Sequence, residues 1–112
     1  MSFAVRPTPG FKRMLKRLER KYPSLSKDVL ALVVELSNNP SQGTPLGAGL
    51  FKVRLAIRSK SQGRSGGGRV ITWVRVVRKQ VILIAIYDKS EMASISTKEL
   101  KSMAKEADAD FG

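Results

Sequence analysis

A chain of 112 residues with 42% hydrophobic content is long enough for one domain with one buried core. It has no cysteine and no histidine, which excludes disulfides and thiolate metal sites and removes the usual neutral-pH acid–base group. Twenty-one Lys and Arg against nine Asp and Glu leave a net charge of +12, which fits a polyanionic partner: nucleic acid first, then an anionic membrane surface or an acidic protein.

Residues 2–6 alternate and stop at Pro7, which predicts a short strand at a sheet edge. Thr8, Pro9 and Gly10 then make a turn that starts a helix. Phe11, Met14, Leu15, Leu18 and Tyr22 follow in an i, i+3, i+4, i+7, i+11 stripe. The other face is Lys12, Arg13, Lys16, Arg17, Arg20 and Lys21, relieved only by Glu19. Such a run is either a solvated basic face or a contact for an RNA backbone.

Pro23 breaks this helix, and Ser24 or Ser26 caps the next. Leu25, Val29, Leu32, Val33 and Leu36 form the second core stripe, with Leu30 and Val34 broadening it. Ser37, Asn38, Asn39 and Pro40 are its stop signal. Two amphipathic helices with a short link predict a helical hairpin. Residues 41–49, with three glycines and Pro45, read as a loop crossing to a sheet.

The next 40 residues carry three β-branched apolar runs, at 50–60, 69–77 and 81–89, separated by two turn signals. That order predicts three strands in an antiparallel meander. In the first run Phe51, Val53, Leu55 and Ile57 alternate with Lys52, Arg54, Ala56, Arg58 and Lys60. Period two sends the apolar set toward the helices and the cations to the other face. If Val70, Thr72, Val74 and Val76 face the helices, then Arg69, Ile71, Trp73 and Arg75 join the cations. The third run is apolar on both faces, which predicts a central strand. Its apolar part, residues 81–86, is far too short to span a bilayer, and the N-terminal residues lack a signal-peptide apolar segment. The expected location is cytoplasmic.

Ser96 and Glu99 make a capping box and Ile95 and Leu100 a hydrophobic staple for a C-terminal helix. Leu100, Met103, Ala104 and Ala107 give it a modest apolar stripe, and residues 106–112 read as acidic and weakly structured. The expectation is a single α+β domain over residues 1–112. A helical hairpin packs on a small, mostly antiparallel, twisted sheet of about four strands, with a short C-terminal helix.

Between Glu35 and Asp88 the chain has nine Lys or Arg and no acid. Binding phosphates needs only that positive charge, and Arg and Lys would be interchangeable in it. Cleaving RNA needs more: a base near the 2′-hydroxyl, donors for the charge on a pentavalent phosphorane, and an acid for the departing 5′-oxygen. A lysine crowded by cations has its neutral form favoured, and guanidinium groups match phosphate oxygens. Lys52, Arg54, Arg58, Lys60, Arg64 and Arg69, with Tyr87 and Lys89, are sufficient parts. The turn Gly63-Arg64-Ser65-Gly66-Gly67-Gly68 leads into a strand and ends without the Gly-Lys-Ser/Thr of a phosphate-binding loop. It reads as a wide hairpin loop whose Arg64 can reach a nucleic-acid backbone. Trp73 and Tyr87 are either base-stacking aromatics or ordinary sheet residues, with Arg58, Arg64 and Arg75 as further RNA contacts.

Particular residues also carry a resemblance. Phe51-Lys52-Val53-Arg54-Leu55-Ala56, the turn closing on Arg69-Val70-Ile71, and Ile86-Tyr87-Asp88-Lys89-Ser90-Glu91 resemble the RelE/HigB branch of the RelE/ParE toxin superfamily. The helix from Phe11 to Leu18, Tyr22-Pro23-Ser24-Leu25 and the Asn39-Pro40 stop fit the same pattern. The resemblance implies a toxin of a type II toxin–antitoxin module that cleaves mRNA in the ribosomal A site. The 2′-oxygen attacks the adjacent phosphate without a metal or cofactor. The partners implied are a cognate antitoxin, the ribosome and A-site mRNA, with no membrane. Lys52 and Arg54 match the family's strand cations, Arg69 the arginine after the turn, and Lys89 a basic position near the end of the last strand. RelE has an arginine directly after that lysine, where this chain has Ser90, and a tyrosine where Ser96 stands. The resulting assignment gives Arg54 and Arg69 the phosphorane charge. Lys52 or Lys60 is then the base and Lys89 or Tyr87 the acid. A ParE-like toxin directed at gyrase, or a non-catalytic basic nucleic-acid-binding domain, are the competing readings.

Overall fold

A computed structural model describes residues 2–60 and 67–111. The chain runs β1 (Ala4–Pro7), α1 (Pro9–Glu19), α2 (Leu25–Asn38), β2 (Thr44–Gly47), β3 (Leu50–Leu55), β4 (Gly68–Arg75), β5 (Gln80–Asp88) and α3 (Thr97–Phe111). The sheet order is β1-β5-β4-β3-β2. Strands β3 to β5 form the expected antiparallel meander, β2 pairs antiparallel with β3 on its outer side, and β1 adds in parallel beside β5. The third predicted run is therefore interior, as its two apolar faces require. The sheet has five strands rather than about four, because β2 lies inside the expected loop. Its sequence, Thr-Pro-Leu-Gly, is exposed throughout and sits at an edge, where a proline is tolerated. Gly43 leads into it at φ +105°, and a Cβ there would meet the Lys52 carbonyl oxygen at 2.6 Å.

The core has two parts, one on each face of the sheet. Phe11, Leu18 and Tyr22 of the first helical segment and Leu25, Val29, Leu32 and Leu36 of α2 bury against Val53, Leu55, Ile57, Val70, Val81, Leu83 and Ile86. On the other face α3 lays Leu100, Met103, Ala104, Ala107 and Phe111 over Leu50, Ile71, Trp73, Ile82, Ile84, Ala85 and Tyr87. Helix α3 starts as predicted: the Ser96 hydroxyl accepts from the Glu99 amide at 3.2 Å and donates to its carboxylate at 3.1 Å. It then continues to Phe111, through the tail expected to be weakly structured.

Other expectations are corrected. Leu30 and Val34 do not broaden the core; they are 65% and 62% exposed, because α2 packs on one side only. Strand β3 stops at Leu55 and β4 at Arg75, so Val76 and Val77 lie exposed in the following turn. Ser24 occupies the cap position of α2, but its hydroxyl donates to the Asp28 carboxylate at 2.7 Å and accepts from the Ser59 amide at 2.8 Å, so it caps no amide of its own helix.

One irregularity decides which residues face which layer. The β4–β5 register runs Thr72 opposite Leu83 and Ile71 opposite Ala85, leaving Ile84 as an extra residue. This bulge reverses the side-chain alternation along β5. Val81 and Leu83 face the helical hairpin before it, and Ile86 after it, so Tyr87 turns to the α3 face. Thr8 clasps the bulge. Its hydroxyl donates to the Leu83 carbonyl at 3.1 Å and accepts from the Phe11 amide at 3.0 Å, capping α1. Thr8→Val keeps the shape and removes both bonds. It is expected to destabilise the fold by about 2 kcal/mol, read as a lower urea midpoint at unchanged slope.

Candidate active site on the sheet

The bulge and the β3 alternation together assemble a cation pocket. In the β3–β4 register Arg54 stands opposite Arg69, and in the β4–β5 register Arg69 stands opposite Tyr87. These three residues form one row across three adjacent strands, which lie about 4.8 Å apart. Lys52 lies two residues back on β3, opposite Thr44 of β2. A cavity of about 250 Å³ opens here, lined by Thr44, Lys52, Arg54, Arg69, Lys89 and Ala93. Lys52, Arg54, Arg69 and Lys89, four of the six predicted catalytic residues, thus meet in one place.

The pocket is electrostatically unbalanced. Like charges directly opposite in a sheet repel, yet Arg54 and Arg69 are so placed. Arg69 is only 6% exposed, and its guanidinium donates to the Gly68 carbonyl at 2.9 Å. That bond aims the group along its strand and leaves other N–H donors for an anion. Among the described residues no carboxylate lines the cavity. An arrangement of this kind is held together by the strands around it and is stabilised by an incoming phosphate.

The remaining candidates lie elsewhere. Lys60 is on the hairpin side, 8% exposed, donating to Asp88 Oδ1 at 2.7 Å and to the Ser90 hydroxyl at 3.3 Å. Because β3 ends at Leu55, the alternation that would have carried Lys60 to the pocket stops short of it. Arg58 is displaced for the same reason. Its amide donates to Asp28 at 3.2 Å, and the side chain lines a separate groove beside α2. Tyr87 shares the pocket's face but is 4% exposed beneath α3, its hydroxyl unpartnered among the described residues. Burial pushes its phenol upward, against the pull of Arg69. Trp73 and Arg75 stack on each other, 4.9 Å from guanidinium carbon to ring centre. They stand about 13 Å or more along β4 from Arg69, and Arg75 is engaged by the Phe111 carbonyl at 2.7 Å. Arg64 and most of the glycine-rich turn lie outside the described residues. A larger cavity, about 550 Å³, opens between the start of α1 and α3, with Arg13, Glu99, Glu106 and Asp110 in its lining, and contains none of the predicted residues.

Asp88 was not among the candidates. It is fully buried on the hairpin side, beside the pocket's Lys89 in sequence. Burial opposes its charge, but hydrogen bonds from Lys60, Tyr22 and Ser90 outweigh that and hold the carboxyl well below the usual carboxylate range. A depressed carboxyl adds stability that is present above its unfolded value, about 3.9, and is lost as pH falls below it. The melting temperature is therefore expected to drop as pH is lowered from about 5, and less steeply in Asp88→Asn. Parallel melts across that range check this.

The family model for the RelE toxin of the RelE / RelB toxin–antitoxin system matches residues 11–111. The chain belongs to the RelE toxin family. Two solved structures agree in fold with this RelE-family chain. One is the toxin–antitoxin complex RelBE2 from Mycobacterium tuberculosis, at 22% identity and TM-score 0.59, covering 79% of this chain and 99% of that one. The other is a free-state double-arginine-to-alanine mutant of the E. coli toxin RelE, at 17% identity and TM-score 0.58, covering 83% of this chain and 90% of that one. The RelE-like architecture expected from the sequence is the one observed, with its sheet, helical hairpin and C-terminal helix.

Proposed function

We propose that this RelE-family toxin is a ribosome-dependent mRNA endoribonuclease. The observation that carries the reading is the pairing of Arg54 with Arg69 in one pocket with Lys52 and Lys89. Simple phosphate binding needs the positive charge but sets no demand on its geometry. A phosphorane carries more negative charge than the ground-state diester and rewards two planar donors held in fixed positions.

In this mechanism Lys52 takes the proton of the 2′-hydroxyl as the 2′-oxygen attacks the adjacent phosphorus. Arg54 and Arg69 hold the equatorial oxygens of the phosphorane. Lys89 gives a proton to the departing 5′-oxygen as the P–O bond breaks. The products are a 2′,3′-cyclic phosphate and a 5′-hydroxyl end. Tyr87, though buried, stands next to Arg69 in the row and is the second candidate for the acid. An antitoxin partner is supported by family membership and by the RelBE2 complex among its structural relatives. A surface of net charge +12 favours an antitoxin with an acidic segment over the pocket.

The test is cleavage of a defined mRNA by purified protein, with and without programmed ribosomes. Ribosome-dependent cuts in the A-site codon ending in cyclic phosphate support the reading. Protein that binds ribosomes and leaves the mRNA intact overturns it.

A further inference from the structure

Asp88 takes no part in the reaction proposed above, yet its carboxylate ties together three separate segments. Oδ1 accepts from Lys60 Nζ at 2.7 Å, from the Ser90 hydroxyl at 2.8 Å and from the Ser90 amide at 3.0 Å. Oδ2 accepts from the Tyr22 hydroxyl and lies 3.7 Å from Lys21 Nζ. Lys60 Nζ also stands 5.7 Å over the Tyr22 ring. The partners come from the link between α1 and α2, from the chain leaving β3, and from the turn after β5.

The backbone extends the same knot. Asp88 pairs with Gly68, the residue before Arg69. Its carbonyl accepts from the Glu91 and Met92 amides at 3.0 and 3.1 Å, closing a turn. Lys89 donates its amide to the Gly67 carbonyl at 3.3 Å. Asp88 points to the hairpin side, and the next residue, Lys89, lines the cation pocket.

A buried ion pair adds less stability than its attraction alone would, because desolvating Lys60 and Asp88 opposes it. Their side chains are 8% and 0% exposed, so the desolvation is nearly complete. What such a pair does supply is direction: a buried carboxylate with donors on both oxygens has one orientation. We propose that Asp88 is a positioning residue. Through Lys60, Ser90 and Tyr22 it fixes the turn that sets Lys89 beside Arg69. The proposal rests on the cation pocket being the reaction site.

Two variants of the full chain test it. Ser90→Ala removes one hydroxyl from an exposed residue and leaves Lys60 in place. Asp88→Leu combined with Lys60→Met replaces the ion pair by apolar side chains of similar size but leaves the Tyr22 hydroxyl without its acceptor, so a thermal melt first establishes that the variant is folded. Displacing a reacting group by about 1 Å costs on the order of 100-fold in rate. The double variant should therefore lose about 100-fold in kcat and Ser90→Ala about 10-fold, with KM within about threefold in both. In both folded proteins the Lys89 amide should exchange its hydrogen faster than in the wild type. Wild-type cleavage in the folded variants, or an unchanged Lys89 exchange rate, overturns the proposal. Slower cleavage in Ser90→Ala separates positioning from a direct role of Lys60. A wild-type protein that cleaves nothing sinks the nuclease reading instead, and the exchange measurement alone then decides the role of Asp88.

Discussion

Replacing Arg69 by alanine is expected to slow mRNA cleavage by about 10²–10³-fold while ribosome affinity changes less than about threefold. Arg69 sits at the centre of the row, with Arg54 on one side and Tyr87 on the other. On the proposed mechanism, removing it takes away a preorganised donor for the phosphorane, worth about 3–4 kcal/mol of barrier in comparable sites. The fold should hardly notice. The variant loses one bond to the Gly68 carbonyl and is relieved of the repulsion from Arg54. Its melting temperature should stay within a few degrees of the wild type. Single-turnover cleavage, ribosome sedimentation and a thermal melt on the same preparation check all three statements. A loss of affinity as large as the loss of rate would make Arg69 a simple phosphate anchor.

The largest stability effect should come from Phe11→Ala. Phe11 is 1% exposed in the layer between the helical hairpin and the sheet, and its amide is held by Thr8 at the bulge. Truncation removes its buried area and leaves a cavity, together about 3–5 kcal/mol. A domain of this size has about 5–15 kcal/mol to lose, so the melting temperature should fall by about 10–20 °C. A loss under about 1 kcal/mol in denaturant titration would mean that the hairpin layer is loosely packed.

Much of this fold can be read from the residues because its helices and β3 obey a single period. Phe11, Leu18, Leu25, Leu32 and Leu36 fall where their stripes put them. The β3 alternation places Lys52 and Arg54 away from the hairpin, and pairing then brings Arg69 beside Arg54. The failures occur where a period ends or slips. An alternating run does not announce its last paired residue, so Arg58 and Lys60 looked like pocket residues although β3 stops at Leu55. The run from Val81 to Ile86 is apolar at every position, so nothing in it marks Ile84 as the residue that reverses the faces. Thr44-Pro45-Leu46-Gly47 carries loop residues and becomes a strand only because β3 offers it an edge. Asp88 did leave a signal: it is the first acid after Glu35 in a stretch holding nine cations. A lone acid in such a stretch is a natural partner for a buried cation, and that partner is Lys60.

On the proposed mechanism the paired arginines act on the transition state and do more than attract phosphate. Arg54→Lys tests it most directly, since it keeps the charge and removes the planar, two-donor geometry. Single-turnover cleavage of ribosome-bound mRNA and ribosome affinity would be measured for the wild type and this variant. A rate at least ~10-fold lower with affinity nearly unchanged is the expected result. Equal rates in the two proteins would contradict it and leave the pocket as a patch of positive charge.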